Sequence, residues 1–368
     1  MALPFVRLGD CCEVVSGATP RTDVIEYWNG DIIWLTPKDI ANLSDPVVVD
    51  SPDKITQAGF DSCSTQMLPM GAILVSSRAP IGHVAIAGRP LCTNQGFKSL
   101  VPRVGVDSRY LYHCMKYRAQ RLAALGNGAT FKEVSKAIVE DFEIPLPNDI
   151  NEQRRIAAIL DKVDTLRKKR VETIQLCREF LNSLYSSLVK AAREEGAPAL
   201  SLLDVCNITT GKLDSNAAED DGEFPFFTCA QETSRINTYA FNCEALLLAG
   251  NNANGDYSIK HYKGKFNAYQ RTYVLSLKNN QHSYGFFRYA IQSKLRALKR
   301  MSKGTNTKYL TLGILAEQML VVPDEASQQK FADTYLKVES QEMQMDRHLK
   351  MAGELFSSLS NRAFSGQL

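Results

Sequence analysis

The sequence predicts an α+β chain: two tandem globular domains separated by two long antiparallel coiled-coil helices, with a pseudo-two-fold relation between the halves. Three observations lead there. The stretch "NEQRRIAAILDKVDTLRKKR" from Asn151 opens a long amphipathic helix straight after a Pro-flanked strand, "FEIPLPND". A weaker copy, "SQQKFADTYLKVESQEMQMDRH", starts at Ser327 after the apolar run "QMLVVPDE". Ordered matches at an offset of about 175 residues link the two halves.

These matches run along both halves. Gln153-Arg154-Arg155-Ile156 answers Gln328-Gln329-Lys330-Phe331, and "REFLNSLYSSL" (178–188) answers "GELFSSLSNRA" (353–363). "TNQGF" (93–97) answers "AYQRT" (268–272), and "SSRAPIGHVAI" (76–86) answers "GNNANGDYSI" (250–259). Near the start of each half, "LGDCCEVVSGATP" (8–20) resembles "LLDVCNITTGKLD" (202–214). Because the matches keep their order, a tandem duplication accounts for them. The period is too long for a solenoid array. The expected domains are 1–149 and 196–325, each followed by its helix, 150–195 and 326–368. Short strand runs ("DIIWL", "GAILVSS", "ALLLAG", "RTYVLSL") alternate with helical stretches (109–125 and 284–300) within each domain.

Both helices carry a strict 4-3 alternation. The first places Ile156, Leu160, Val163, Arg167, Arg170, Ile174, Cys177, Leu181, Leu184 and Leu188 on one seam. The second places Phe331, Tyr335, Val338, Glu342, Met345, Leu349, Ala352, Phe356, Leu359 and Ala363. Eight of the first ten and nine of the second ten are apolar, a longer stripe than a surface helix sustains. Each helix spans roughly 35–40 residues, about 55–60 Å at 1.5 Å per residue. Antiparallel pairing would bring the polar defects together, so a Glu342–Arg170 or Glu342–Arg167 pair is expected to fix register. Gly196 and Pro198 stop the first helix.

The 368 residues suffice for two or three domains, and an apolar content of 44% lets each bury a core. Nine cysteines show no Cys-x-x-Cys spacing and no His at ligand spacing from one, which argues against zinc and for a reducing compartment. No signal peptide is visible, and the longest apolar run, 245–250, is far short of a membrane span. A cytoplasmic protein with no membrane partner is expected. Catalytic signatures are missing: "GNNANGDYS" lacks the Lys of a phosphate loop, there is no Pro-Pro dipeptide for an amino-methylase, and the five histidines form no cluster. No metal site and no catalytic residue is expected.

Binding is better supported. The net charge of +3 is mild, but segment 288–308 has seven basic residues and no acid. Its counterpart, 116–132, is also basic and acid-free. Both end in a Gly-rich polar loop, "GNGATFK" and "KGTNTK", at the same point before the strand and long helix. That recurrence favours a nucleic-acid surface over two solvated helices. Arg167 to Arg170 could face phosphates or a partner equally well.

"PLPNDINEQRRIAAILDKVDTLRKKR" closely resembles the central conserved region of the specificity (S) subunits of Type I restriction–modification systems. "ELFSSLSNRAFSGQL" is similar to their distal conserved region. "SGATP", "RAPIG", "NQGF" and "GKFNAYQRTYV" resemble segments of their target recognition domains, so the likeness covers essentially the whole chain. The second helix start, "SQQKFADTYLKV", departs from the usual Glu-Gln-Arg/Lys-Ile. The resemblance implies a non-catalytic, sequence-specific reader of double-stranded DNA. Each recognition domain would read one half of an asymmetric bipartite target, and the helices would set the gap. It also implies two methyltransferase (M) subunits as partners, joined in some systems by restriction/translocase (R) subunits. S-adenosylmethionine, ATP and Mg would belong to those partners, with no cofactor in this chain. By position, the expected DNA contacts are Arg78, Asn94, Gln95, Thr130 and Lys132 in the first domain. In the second they are Asn251, Asn252, Gln270, Arg271, Lys303, Asn306 and Lys308. Gln95 and Gln270 occupy matching places, so bracing a loop is as good an account of them as reading a base. The competing readings are a single-chain DNA methylase or nuclease with diverged motifs, and a coiled-coil adaptor that binds only protein.

Overall fold

The computed structural model describes residues 3–43, 45–127 and 132–367. They form two compact units: one spans 1–171 with 347–368, the other 172–346. Four helices organise them: α1 (Ser108–Ala124), α2 (Ile150–Glu194), α3 (Tyr284–Met301) and α4 (Glu325–Ser365). The units cut across linear order, because each takes one half of α2 and one half of α4.

The first unit is built on a five-stranded sheet in the order Cys12–Ser16, Lys98–Pro102, Ile73–Val75, Val84–Ala87, Val47–Val48. The second has six strands: Cys206–Thr210, Thr272–Leu277, Phe241–Ala249, Ile259–Ala268, Phe224–Phe227, Ser234–Ile236. The first four positions have the same antiparallel plan in both: an entry strand beside the last strand, then a hairpin. A two-stranded ribbon closes each unit, Phe5–Arg7 with Glu143–Pro145 and Ala199–Ser201 with Met319–Val321.

Helix starts follow local chemistry. The Asp107 carboxylate accepts from Tyr110 N at the head of α1, and Ser283 caps α3. Asp149 Oδ1 accepts from Asn151 N at 2.9 Å, and Asp324 Oδ1 from Ser327 N at 2.9 Å. One turn into each long helix stands a buried glutamine, and two of its bonds recur in both units. Gln153 Nε2 donates to Pro147 O (2.8 Å) and Gly105 O (3.0 Å), while its Oε1 accepts from Asp107 N (2.8 Å). Gln328 Nε2 donates to Pro323 O (2.8 Å), and its Oε1 accepts from Ser283 N (3.1 Å). Each amide therefore ties three elements: the closing ribbon, the long helix and the N-terminus of α1 or α3. At the other end of α2, Gly196 adopts φ +85° and Ala197 N returns to Ala192 O.

Every seam position on both long helices is buried or half-buried. In the first unit Ile156 and Leu160 share a core with Leu359, Ala363 and Phe364. Arg167 lies 5.4 Å over the Phe356 ring, and Arg170 donates to His348 O. In the second unit Leu181, Leu184 and Leu188 pack with Phe331, Tyr335 and Val338. Rising positions on α2 meet falling positions on α4, so the pairing within each unit is antiparallel.

The expected ion pair between Glu342 and Arg167 or Arg170 does not form. Glu342 lies 3.7 Å from Arg178, and Arg167 lies 3.7 Å from Asp164. A heptad stripe fits at any shift of a whole heptad, so the stripe alone leaves register open. The side chains that pack at each end choose it.

Candidate nucleic-acid interface

The residues that flank the two Gly-rich loops pair in equivalent ways. In the first unit Asn127 and Glu133 exchange both backbone bonds (3.0 and 2.9 Å), and Val134 N donates to Ser77 O. Arg78 lies opposite Glu133. In the second unit Lys303 and Tyr309 exchange both bonds (3.0 and 2.9 Å), and Leu310 N donates to Gly250 O. There Asn251 lies opposite Tyr309, and Asn252 opposite Lys308. The frame is one frame built twice, with 127, 133 and 78 answering 303, 309 and 251. It gathers Arg78 and Lys132 in one unit, and Asn251, Asn252, Lys303, Asn306 and Lys308 in the other. Lys132, Lys303 and Asn306 are exposed and Lys308 half-buried. Thr130 lies outside the described residues.

A second loop stands beside each hairpin. Gly17 and Gly211 pass so close to the next strand that a Cβ would overlap the carbonyl oxygens of Asn94 and Ala268. Each approach delivers a brace to a glutamine. Thr19 Oγ1 donates to Gln95 Oε1 at 2.5 Å, and Gln270 Nε2 donates to Asp214 Oδ2 at 3.3 Å. Asn94 Oδ1 accepts from Gly96 N, and Asn252 Oδ1 from Asn254 N and Asp256 N. These amides hold loops. Arg271 is exposed, and its carbonyl receives Gly250 N, which places it next to the hairpin.

The basic helices contribute less than their charge promised. Arg118 is buried, donates to Glu143 O and stacks 5.0 Å over Phe5. Arg288 is paired with Glu339 at 2.7 Å, and Lys299 with Asp256 at 2.6 Å. Lys116, Arg121, Arg296 and Arg300 stay exposed on these helices, beside the cations of the hairpins. Charge counting along the sequence does not tell the two kinds apart, because a Lys or Arg on an amphipathic helix can as easily buttress a neighbour.

Sequence reasoning also passed over Glu133. Its Oε2 accepts from Arg78 Nε at 3.0 Å, and its Oε1 lies 3.6 Å from Lys98 Nζ. Burial pulls the Lys98 ammonium below its ordinary value, and Glu133 opposes that shift. The available signal was an acid directly after an otherwise acid-free loop, "GNGATFKE". Among the described residues no group of three or more His, Cys, Asp or Glu gathers at metal-binding distance. No helix there is long and apolar enough to cross a membrane.

The family description "Type I restriction modification DNA specificity domain" matches residues 4–176 and again 199–346. The chain belongs to the Type I restriction–modification specificity family. The MjaIX specificity subunit of Methanocaldococcus jannaschii is 30% identical over 370 aligned residues, covering 88% of this chain and 84% of that one. An S subunit from M. genitalium shares the fold, with a TM-score of 0.69 at 17% identity over 98% of this chain and 96% of the other. A chain from a structure on complex assembly and conformational transition of the type I R-M system aligns with a TM-score of 0.51 at 16% identity, covering 100% of this chain and 98% of that one.

Proposed function

We propose that this chain is the DNA-recognition subunit of a Type I restriction–modification complex and carries no catalytic step of its own. Each unit reads one half of an asymmetric, gapped target. The long helices that the units share set the gap and dock two methyltransferase subunits, which hold S-adenosylmethionine. Restriction subunits, where present, bring ATP and Mg. One observation carries the reading: the same hairpin frame is built in both units by the same backbone bonds, but with different side chains at its base. A duplicated frame with unlike side chains is what two readers of unlike half-sites require. The cations of the hairpins supply phosphate contacts that orient the frame, and base edges then decide between sequences.

The test is co-expression with the partner methyltransferase in a methylation-free host, followed by methylome sequencing. The expected result is a single asymmetric, gapped motif that disappears when this chain is omitted. Exchanging residues 196–325 should change one half of the motif and leave the other. Methylation that is independent of this chain would refute the reading.

A further inference from the structure

We infer that Arg78 reads a guanine in the first half-site and that Glu133 is the residue that positions it, an inference that rests on the DNA-recognition role above. The side chain is 48% exposed and its Nε is bonded to Glu133 Oε2 at 3.0 Å. That bond fixes the plane of the guanidinium. Among the described residues neither Nη takes a protein partner, so the fork stays open. A planar pair of N–H donors at fixed spacing is the group that pairs bidentately with guanine O6 and N7.

The surroundings favour a base over a phosphate. Glu133 puts a carboxylate beside the arginine, and a carboxylate repels a phosphate at short range. Lys98, the other partner of Glu133, has a side chain only 10% exposed and holds the carboxylate from beneath. Glu133 is thus engaged through both oxygens. The trio is a braced reader, not a cationic patch.

The second unit supplies the control. The places of Arg78, Glu133 and Lys98 are taken there by Asn251, Tyr309 and Tyr273. All three charges are replaced together by neutral groups. Tyr273 Oη donates to Leu310 O at 3.0 Å, securing the hairpin in place of the ion pairs. The backbone bonds are unchanged while the hydrogen-bonding groups differ, as expected where two units read different bases.

The test uses the assembled complex and methylome sequencing, with the chimera exchanging residues 196–325 assigning the half-sites. The wild-type first half should contain a G·C pair. Arg78→Gln should relax that pair alone, discrimination falling roughly tenfold to a hundredfold, with the second half unchanged. Arg78→Lys keeps the charge but loses the fork, and should relax the same position. Glu133→Gln should relax it less. Copurification with the methyltransferase and an unchanged thermal midpoint establish that each variant folds. Wild-type discrimination in Arg78→Gln, or weakened methylation spread evenly over all positions, would overturn the inference. A first half without a G·C pair would also overturn it. Failure of the wild type to direct any gapped motif would instead overturn the DNA-recognition role itself.

Discussion

Replacing Gln153 by Leu tests whether one buried amide holds the first unit's frame together. Gln153 is 1% exposed and makes three hydrogen bonds, all to backbone groups. Leucine is close in size and makes none of them. The buried Pro147 carbonyl and the half-buried Asp107 N–H would be left without partners, while the carbonyl of the exposed Gly105 can turn to water. A buried orphan costs about 1–3 kcal/mol, and at the lower figure the two together cost about 2 kcal/mol. Gln328 makes two such bonds, so Gln328→Leu should cost about 2 kcal/mol. Urea unfolding followed by circular dichroism measures both, and in a thermal melt a loss of about 2 kcal/mol should lower the midpoint of the first unit by roughly 4–8 °C. Gln153→Glu sharpens the test: it keeps the acceptor but turns a donor into an oxygen facing two carbonyls. It folds best protonated, so its stability should fall as pH rises from 5 to 8. A loss below about 1 kcal/mol in Gln153→Leu would refute the clasp.

Three further outcomes are expected. Leu181→Asp buries a carboxylate at a site 4% exposed beside Phe331 and Tyr335, and should cost at least about 3 kcal/mol. It should also abolish copurification with the methyltransferase; wild-type thermal stability would count against the seam. Burial raises the Glu342 carboxyl, only partly offset by Arg178. A raised acid means the folded state holds its proton longer, so this group's contribution declines as pH rises above about 4.5. Glu342→Gln should therefore be more stable than wild type at pH 7, with the difference vanishing below pH 4; denaturant melts at both pH values measure it. Lys303→Ala should reduce the slope of log affinity against log salt for the DNA-bound complex by about one unit, and equally for cognate and non-cognate DNA.

The long helices were legible because a coiled-coil seam writes itself as a simple alternation. Burial follows that alternation through Arg167 and Glu342, which are half-buried in the structure. The duplication was legible from ordered matches. The contents of the frame were not. A buried Gln is spelled like an exposed one, and only the recurrence of Gln153 as Gln328 marked it. The hairpins were hidden by a slipping offset: 78 answers 251, but 133 answers 309. An alignment at one fixed offset pairs Arg78 with the wrong residue, and the concerted exchange of Arg78, Glu133 and Lys98 then cannot be seen. Arg118 and Arg288 counted as surface charge until packing turned them inward.

The twofold construction separates holding from reading. A residue that makes the same bond in both units cannot account for an asymmetric target. Gln153 and Gln328 are of this kind, whereas Gln95 and Gln270 are braced through opposite ends of the amide, one accepting from Thr19 and the other donating to Asp214. Discrimination must come from places that share a backbone position and differ in chemistry. The pair opposite one another at the hairpin base meets that condition most fully. In one unit it is an arginine held by an acid, and in the other an asparagine facing a tyrosine. Because the hairpin's backbone bonds tolerate both, recognition can change by substitution at this pair while sheet, ribbon and long helices stay as they are.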